Sequence, residues 1–174
     1  MLMIDKILSD SRYIEKLNKI NDIESERYYC KHDLSHSREV VRILTALSKS
    51  RELNNYEELS AIMGYLHDIG RADDYDGMHN KCSSEFARVL LKEYEFDNDS
   101  TNIICYAIDN HSGRMPLNDI YTYIRENTVE ENVNETWANL LRIADQLSRD
   151  CYKCEAASSC RWLPEEKTIE AWKC

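Results

Sequence analysis

The sequence predicts an all-α protein, a compact bundle of about seven or eight helices. Three observations carry this. Only 4 Gly and 2 Pro punctuate 174 residues, so few positions demand the turns that separate short strands. Long stretches of Leu, Ile, Glu, Lys, Arg and Asn show no alternation of apolar and polar residues. Where apolar residues recur, they do so at helical spacing.

Taken in order, a turn over Met3 to Leu8 precedes a helix from about Ser11 to Tyr28, carried by Tyr13, Ile14, Leu17 and Ile20. The next helix starts at Asp33 or Ser35, both N-cap types, and turns Val40, Val41, Ile43, Leu44 and Leu47 inward, with His36 in its first turn. A third runs from Tyr56 through Leu59, Ile62, Met63 and Leu66 to His67, with Gly70 placed to end it. Loop composition from Arg71 to Met78, including Asp73, Asp74, Asp76 and Gly77, leads to a helix over His79 to Tyr94.

Beyond a capped turn at Asp97 to Ser100, Ile103, Ile104, Ala107 and Ile108 mark a helix that reaches His111 and stops at Ser112-Gly113 before Pro116. A short helix from Leu117 to Arg125 follows. Trp137, Leu140, Leu141, Ala144 and Leu147 then define the buried stripe of a helix from Asn134 to Asp150, with Asp145 beside that stripe. No repeat or linker tract interrupts the chain, so residues 1–150 are expected to form one domain, with a cysteine-bearing tail at 151–174 packed on it.

A formal charge of −10 repels polyanions, which argues against duplex nucleic acid and anionic membrane surfaces as partners. The opening residues carry acids and no apolar run with a cleavage site, and no segment reaches the ~20 apolar residues of a membrane span. A cytoplasmic location is therefore expected, in which the 7 cysteines are thiols or metal thiolates rather than disulfides.

Four of the 5 histidines, His36, His67, His79 and His111, fall at helix starts or ends, where rings can converge. Imidazole with carboxylate suits Mn, Fe, Co, Ni or Zn. Such an ion both activates water and neutralises phosphoryl oxygens. The pair His67-Asp68 gives one segment two ligands of different chemistry, the second carboxylate oxygen being able to bridge to another ion. His32 forms H-x-x-x-H with His36, but Asp33 is not the Glu of a zinc-protease motif, and the predicted helix start leaves His32 outside the helix.

The ordered pieces HSREVVRI with His36, AIMGYLHDIGR with His67-Asp68, and LLRIADQLSRD with Asp145 resemble the HD-domain phosphohydrolase superfamily over about residues 30 to 150. The resemblance implies a helical bundle of the HD-domain type and a metal ion held by His36, His67, Asp68 and Asp145. His79, in HNKCSSEFARVL, and His111, in IDNHSGR, match a subgroup with two ions, in which Asp68 would bridge. The alternative is that these two histidines contact substrate around a single ion.

Arg71 stands where many members carry Lys; it preserves phosphate contact but not a lysine-specific proton role. Arg114 and Arg149 are further candidates to bind substrate, or are surface ion pairs. The implied substrate is a small phosphorylated molecule, a nucleotide foremost, hydrolysed by metal-activated water with Asp68 and Arg71 as the catalytic pair. The alternatives are an HD-type di-iron oxygenase and a noncatalytic signalling or binding module.

Outside this pattern, Cys151-x2-Cys154-x5-Cys160 and Cys174 crowd the tail, a candidate second metal site for Zn or an iron–sulfur centre. Cys30, Cys82 and Cys105 read as packing residues.

Overall fold

Four helices begin where the sequence places a polar cap. Asp10 accepts from the Arg12 amide at 2.8 Å and Asp33 from the amides of Ser35 and His36 at 3.0 Å each. Asp97 accepts from Ser100 at 2.8 Å and Asn132 from Asn134 at 3.0 Å. Each bond satisfies amides that the first helical turn leaves without a partner.

The computed structural model describes residues 2–73 and 77–169. Among them are eight α-helices and no strand: α1 (Met3–Ser9), α2 (Ser11–Ile23), α3 (Leu34–Ser50), α4 (Tyr56–Leu66), α5 (His79–Glu93), α6 (Asn98–Asn110), α7 (Leu117–Arg125) and α8 (Val133–Leu147). The all-helical expectation holds. Asp74, Asp76 and Cys174 lie outside the described residues.

Helix α3 packs against α4 and α8, and α6 packs against α5 and α8. Between them Val40, Leu44, Ile62, Met63, Leu66, Leu90, Ile104, Ile108, Trp137, Leu140 and Leu141 are buried. Each such side chain contributes about 1.5–3 kcal/mol when fully withdrawn from water. This apolar centre fixes the ends of α3, α4, α6 and α8, and those ends carry the candidate ligands.

Two glycines set how closely the helices approach. A Cβ at Gly64 would stand 2.5 Å from Cγ2 of Val41, so Gly64 lets α4 close on α3. A Cβ at Gly70 would meet the His79 carbonyl oxygen at 2.3 Å and the Ser83 amide nitrogen at 2.4 Å. Gly70 does not end α4 by a left-handed turn, as its place in the sequence suggests. The chain runs on through His67 and Asp68 into a 3-10 turn at Ile69–Ala72, and Gly70 admits the start of α5, its amide donating to Ser83 Oγ at 2.8 Å. Gly113, at φ +117°, does supply the backbone freedom that breaks the chain after α6.

Some boundaries differ from expectation. The turn at Met3 is a helix, anchored by buried Met3 and Ile7. Helix α2 stops at Ile23 because the Glu24 carboxylate turns inward: Oε2 accepts from the His32 amide and Oε1 pairs with His32 Nδ1, both at 2.7 Å. Helix α8 ends at Leu147, and the chain beyond it doubles back along α8. Gln146 Nε2 donates to the Glu166 carbonyl at 2.9 Å, and the Cys151 amide to Thr168 Oγ1 at 3.2 Å.

Candidate metal centre

All five histidines of the sequence lie in one continuous run of edge-to-face rings. The centroid separations are 5.7 Å for His32 to His36, 5.2 Å for His36 to His67, 5.3 Å for His67 to His111 and 5.5 Å for His111 to His79. They come from the loop before α3, the first turn of α3, the ends of α4 and α6, and the start of α5.

Second bonds set the direction of three rings. His67 Nδ1 donates to the Gly64 carbonyl at 2.9 Å, and His111 Nδ1 to the Ile108 carbonyl at 2.6 Å. Ser148 Oγ donates to the Asp145 carbonyl at 2.6 Å, so its oxygen is left to accept from His36 Nδ1 at 3.0 Å. With each Nδ1 proton used, each Nε2 faces inward, the tautomer a metal-binding histidine needs.

Two ligand groups result, sharing Asp68. In the first, one donor atom from each of His36, His67, Asp68 and Asp145 lies within 4.8 Å of the others. His36 Nε2 is 3.1 Å from Asp145 Oδ1 and 3.6 Å from Asp68 Oδ2, and His67 Nε2 is 3.1 Å from Asp68 Oδ2. The second group comprises Asp68, His79 and His111, with His79 Nε2 at 3.3 Å from Asp68 Oδ1. The two oxygens of Asp68 thus face different groups.

The residues fit a cation. Asp68 Oδ2 is buried without a hydrogen-bond partner, an arrangement costly for a carboxylate unless positive charge meets it. Burial alone would lower the basicity of His67, but Asp68 and then Asp145 reverse this and raise its pKa to about 10. The site demands positive charge on His67 Nε2, and a proton or a metal ion supplies it. Burial also disfavours both carboxylates, yet His67 and Arg71 hold Asp68, and Arg149 holds Asp145, well below the usual carboxylate range.

The three candidate arginines differ. Arg71 Nε donates to Asp68 Oδ1 at 2.7 Å, and its Nη2 stands 3.3 Å from His79 Nε2. Arg149 is buried, donating through Nη2 to Asp145 Oδ1 at 2.6 Å and to His36 Nε2 at 3.0 Å, and through Nη1 to the Lys31 carbonyl at 3.2 Å. It is therefore no surface ion pair. Arg114 lies farther out, 3.9 Å from Glu166 and stacked over Trp162 at 5.4 Å.

A cavity of about 580 Å³ opens over the cluster. His32, His79, His111 and Asp145 form its floor, Tyr29 and Trp162 line its wall, and Arg27, Arg71, Arg114, Arg149 and Arg161 surround it.

His32 and Glu24 are the residues that sequence reasoning missed. His32 does precede α3, yet it is buried with Nε2 3.9 Å from Asp68 Oδ2. Desolvation pushes its pKa down to about 4 against the pull of Asp68 and Glu24. The signal in the sequence is H-x-x-x-H itself, which holds here with His32 brought in from the loop rather than along a helix face. Cys160 lines the same cavity. Among the described residues, no three cysteine sulfurs lie within 4.8 Å of one another.

Comparison with known proteins agrees with this geometry. A family model of the HD domain matches residues 33–150. A Clostridium beijerinckii protein, described only as uncharacterized, is 28% identical over 168 residues, covering 95% of this chain and 96% of that one. A crystal structure described as a predicted HD superfamily hydrolase, from an uncultured Thermotogales bacterium, superposes with a TM-score of 0.55 at 19% identity, over 97% of this chain and 88% of that chain. At that identity the likeness speaks for the fold. No helix among the described residues is long and apolar enough to cross a membrane. The matched segment contains His36, His67, Asp68, His79, His111 and Asp145, and the chain belongs to the HD-domain family.

Proposed function

We propose that the chain is a metal-dependent phosphohydrolase that cleaves a phosphate ester or anhydride of a small molecule, a nucleotide foremost. The observation that carries this reading is local charge reversal. In a chain of net charge −10, five arginines line the cavity over the ligand cluster. Such a cavity attracts a small anion although the molecule as a whole repels polyanions. Its volume suits a drug-sized or nucleotide-sized ligand, and the description of the Thermotogales protein as a predicted hydrolase points the same way.

His36, His67, Asp68 and Asp145 would hold one divalent ion, and Asp68, His79 and His111 a second. When bound, such ions neutralise phosphoryl oxygens and render water nucleophilic near neutral pH. Arg71, oriented by Asp68, keeps N–H donors for a phosphate oxygen on the cavity side. Arg149 orients Asp145 from behind and is itself fixed by the Lys31 carbonyl. Tyr29 and Trp162 offer aromatic faces on which a base could stack.

The test is a phosphoester and nucleotide screen with Mn, Fe, Co, Ni or Zn restored to chelator-treated protein, with oxygen uptake followed in parallel. Metal-dependent phosphate release that disappears in Asp68→Ala supports the reading. Oxygen uptake without phosphate release would favour a di-iron oxygenase, and neither signal a binding module.

A further inference from the structure

The tail from residue 151 onward has little apolar interior of its own. Among its described residues only Cys151 and Ala156 are buried apolar side chains, while Tyr152, Leu163 and Ile169 are exposed. A segment of this kind needs a staple to stay ordered. It is nevertheless wound tightly: the Cys154 amide donates to the Cys151 carbonyl at 3.3 Å, Ala157 to Cys154 at 3.0 Å, and Ser159 to Ala156 at 3.1 Å. This winding keeps Cys151, Cys154 and Cys160 near one another.

The loop between α2 and α3 meets this coil at two points. Arg149 Nη1 donates to the Lys31 carbonyl at 3.2 Å, and the Tyr29 hydroxyl reaches the Ser159 carbonyl at 3.5 Å. Cys30 lies between Tyr29 and Lys31 and so is carried into the cysteine-bearing coil, and Cys30 and Cys160 line one cavity. The Cys30 thiol is pushed up chiefly by burial; Arg149 pulls it back, and the thiols of Cys151, Cys154 and Cys160 push it further up. All four are free thiols.

We propose that Cys30, Cys151, Cys154 and Cys160 form a four-thiolate site for an iron–sulfur cluster, which pins the tail to the loop before α3 and completes the cavity wall. A single zinc ion, with Zn–S bonds of about 2.3 Å, needs its sulfurs about 3.8 Å apart. Among the described residues no three of these sulfurs lie within 4.8 Å. A four-iron cluster takes one cysteine on each iron and spreads its thiolates more widely. The Cys-x2-Cys step has the form common to such sites, and Cys30 supplies the fourth thiolate from a distant part of the sequence. All four cysteines lie outside the segment matched by the family model, so this site is separate from the histidine cluster.

The experiment is anaerobic purification followed by iron, zinc and acid-labile sulfide analysis and a visible spectrum, on the wild type and a set of single variants. The expected wild-type result is about four labile sulfides per chain with a broad thiolate-to-iron absorption band. Cys30→Ser and Cys160→Ser should each lose the sulfide and the band while keeping the helical circular-dichroism spectrum. Cys82→Ser, Cys174→Ser and Asp68→Ala should keep both. Because Asp68→Ala empties the histidine site, retained sulfide there separates this proposal from the phosphohydrolase reading. Wild-type protein without labile sulfide, zinc at the four thiols, or sulfide lost in Cys174→Ser but kept in Cys30→Ser would overturn it.

Discussion

The two ligand groups that share Asp68 are built to different standards. In the group of His36, His67, Asp68 and Asp145, both imidazoles are locked through Nδ1, by Ser148 and by Gly64, and Arg149 clamps Asp145. Among the described residues, the group of Asp68, His79 and His111 offers three protein ligands rather than four, with His111 held through Nδ1 by the Ile108 carbonyl. His79 opens α5 and its side chain is 16% exposed, whereas that of His67 is fully buried. More ligands already converged on one buried point leave less to reorganise when an ion arrives. The first group should therefore fill first and hold its ion more tightly.

Asp68→Ala is the most damaging change. It removes the one ligand common to both groups and leaves Arg71 without its carboxylate, so metal-dependent turnover should fall to background and bound metal should be lost from both groups. Activity assays with elemental analysis check this. Retention of one tightly bound ion would mean that the groups are independent of Asp68.

The histidine replacements separate the groups directly. His36→Ala should abolish tight binding of the first ion, whereas His79→Ala should leave one tight ion per chain and weaken only the second. Calorimetric titration of the chelator-treated protein reads both. Equal losses in the two variants would erase the distinction between the groups.

Metal removal exposes a dependence on pH. His32 and His111 have folded pKa values pushed down to about 4 from 6.5, both chiefly by burial, so the unfolded chain binds protons more readily. Their contribution to stability is complete above about pH 6.5 and is lost as pH falls toward 4. His67 acts in the opposite direction. Its folded value, raised from 6.5 to about 10, gives stability that is full below 6.5 and lost as pH rises toward 10. The midpoint of thermal unfolding of metal-stripped protein should peak near pH 6.5, and bound metal should flatten the alkaline arm by replacing the proton on His67. A midpoint that keeps rising to pH 9 without metal would contradict the assigned environment of His67.

The legibility of these groups in the sequence follows from how each residue is held. His36, His67-Asp68 and Asp145 sit on regular helices whose apolar periodicity reveals where the ends fall, so spacing and motif could locate them. His32, Glu24 and Cys30 occupy an irregular loop or a helix end, where no period relates them to the residues they meet. The expected end of α2 at Tyr28 overruns the observed one for the same reason, since the departure at Glu24 follows a tertiary contact with His32. Gly70 was legible as a break, but its reason, the approach of α5, belongs to packing.

Gly70→Ala tests the packing that delivers His79 to Asp68. The added methyl meets backbone atoms of His79 and Ser83, which cannot rotate away. Overpacking of this kind costs about 1–3 kcal/mol, which in a chain of this size lowers the melting midpoint by about 2–4 °C per kcal/mol. Because the clash is at the start of α5, the second metal should weaken along with stability while the first is spared. Thermal melts paired with metal titration check this.

The smallest effect, and the finest test of the first group, is Ser148→Ala. The hydroxyl touches no candidate metal-ligating atom; it accepts from His36 Nδ1 and donates to the Asp145 carbonyl, so it joins two ligand-bearing segments. Without it, His36 loses the bond that selects the tautomer with a free Nε2, and its ring gains freedom to turn. Removing such an outer partner typically lowers metal affinity about 10–100-fold. The fold should be untouched, because Ser148 lies beyond the last turn of α8 and outside the apolar core. The first ion should weaken within that range while the second is unchanged. Titration that shows the second ion weakened equally would mean that the ring orientation of His36 is transmitted through His67, and that the two groups respond as one.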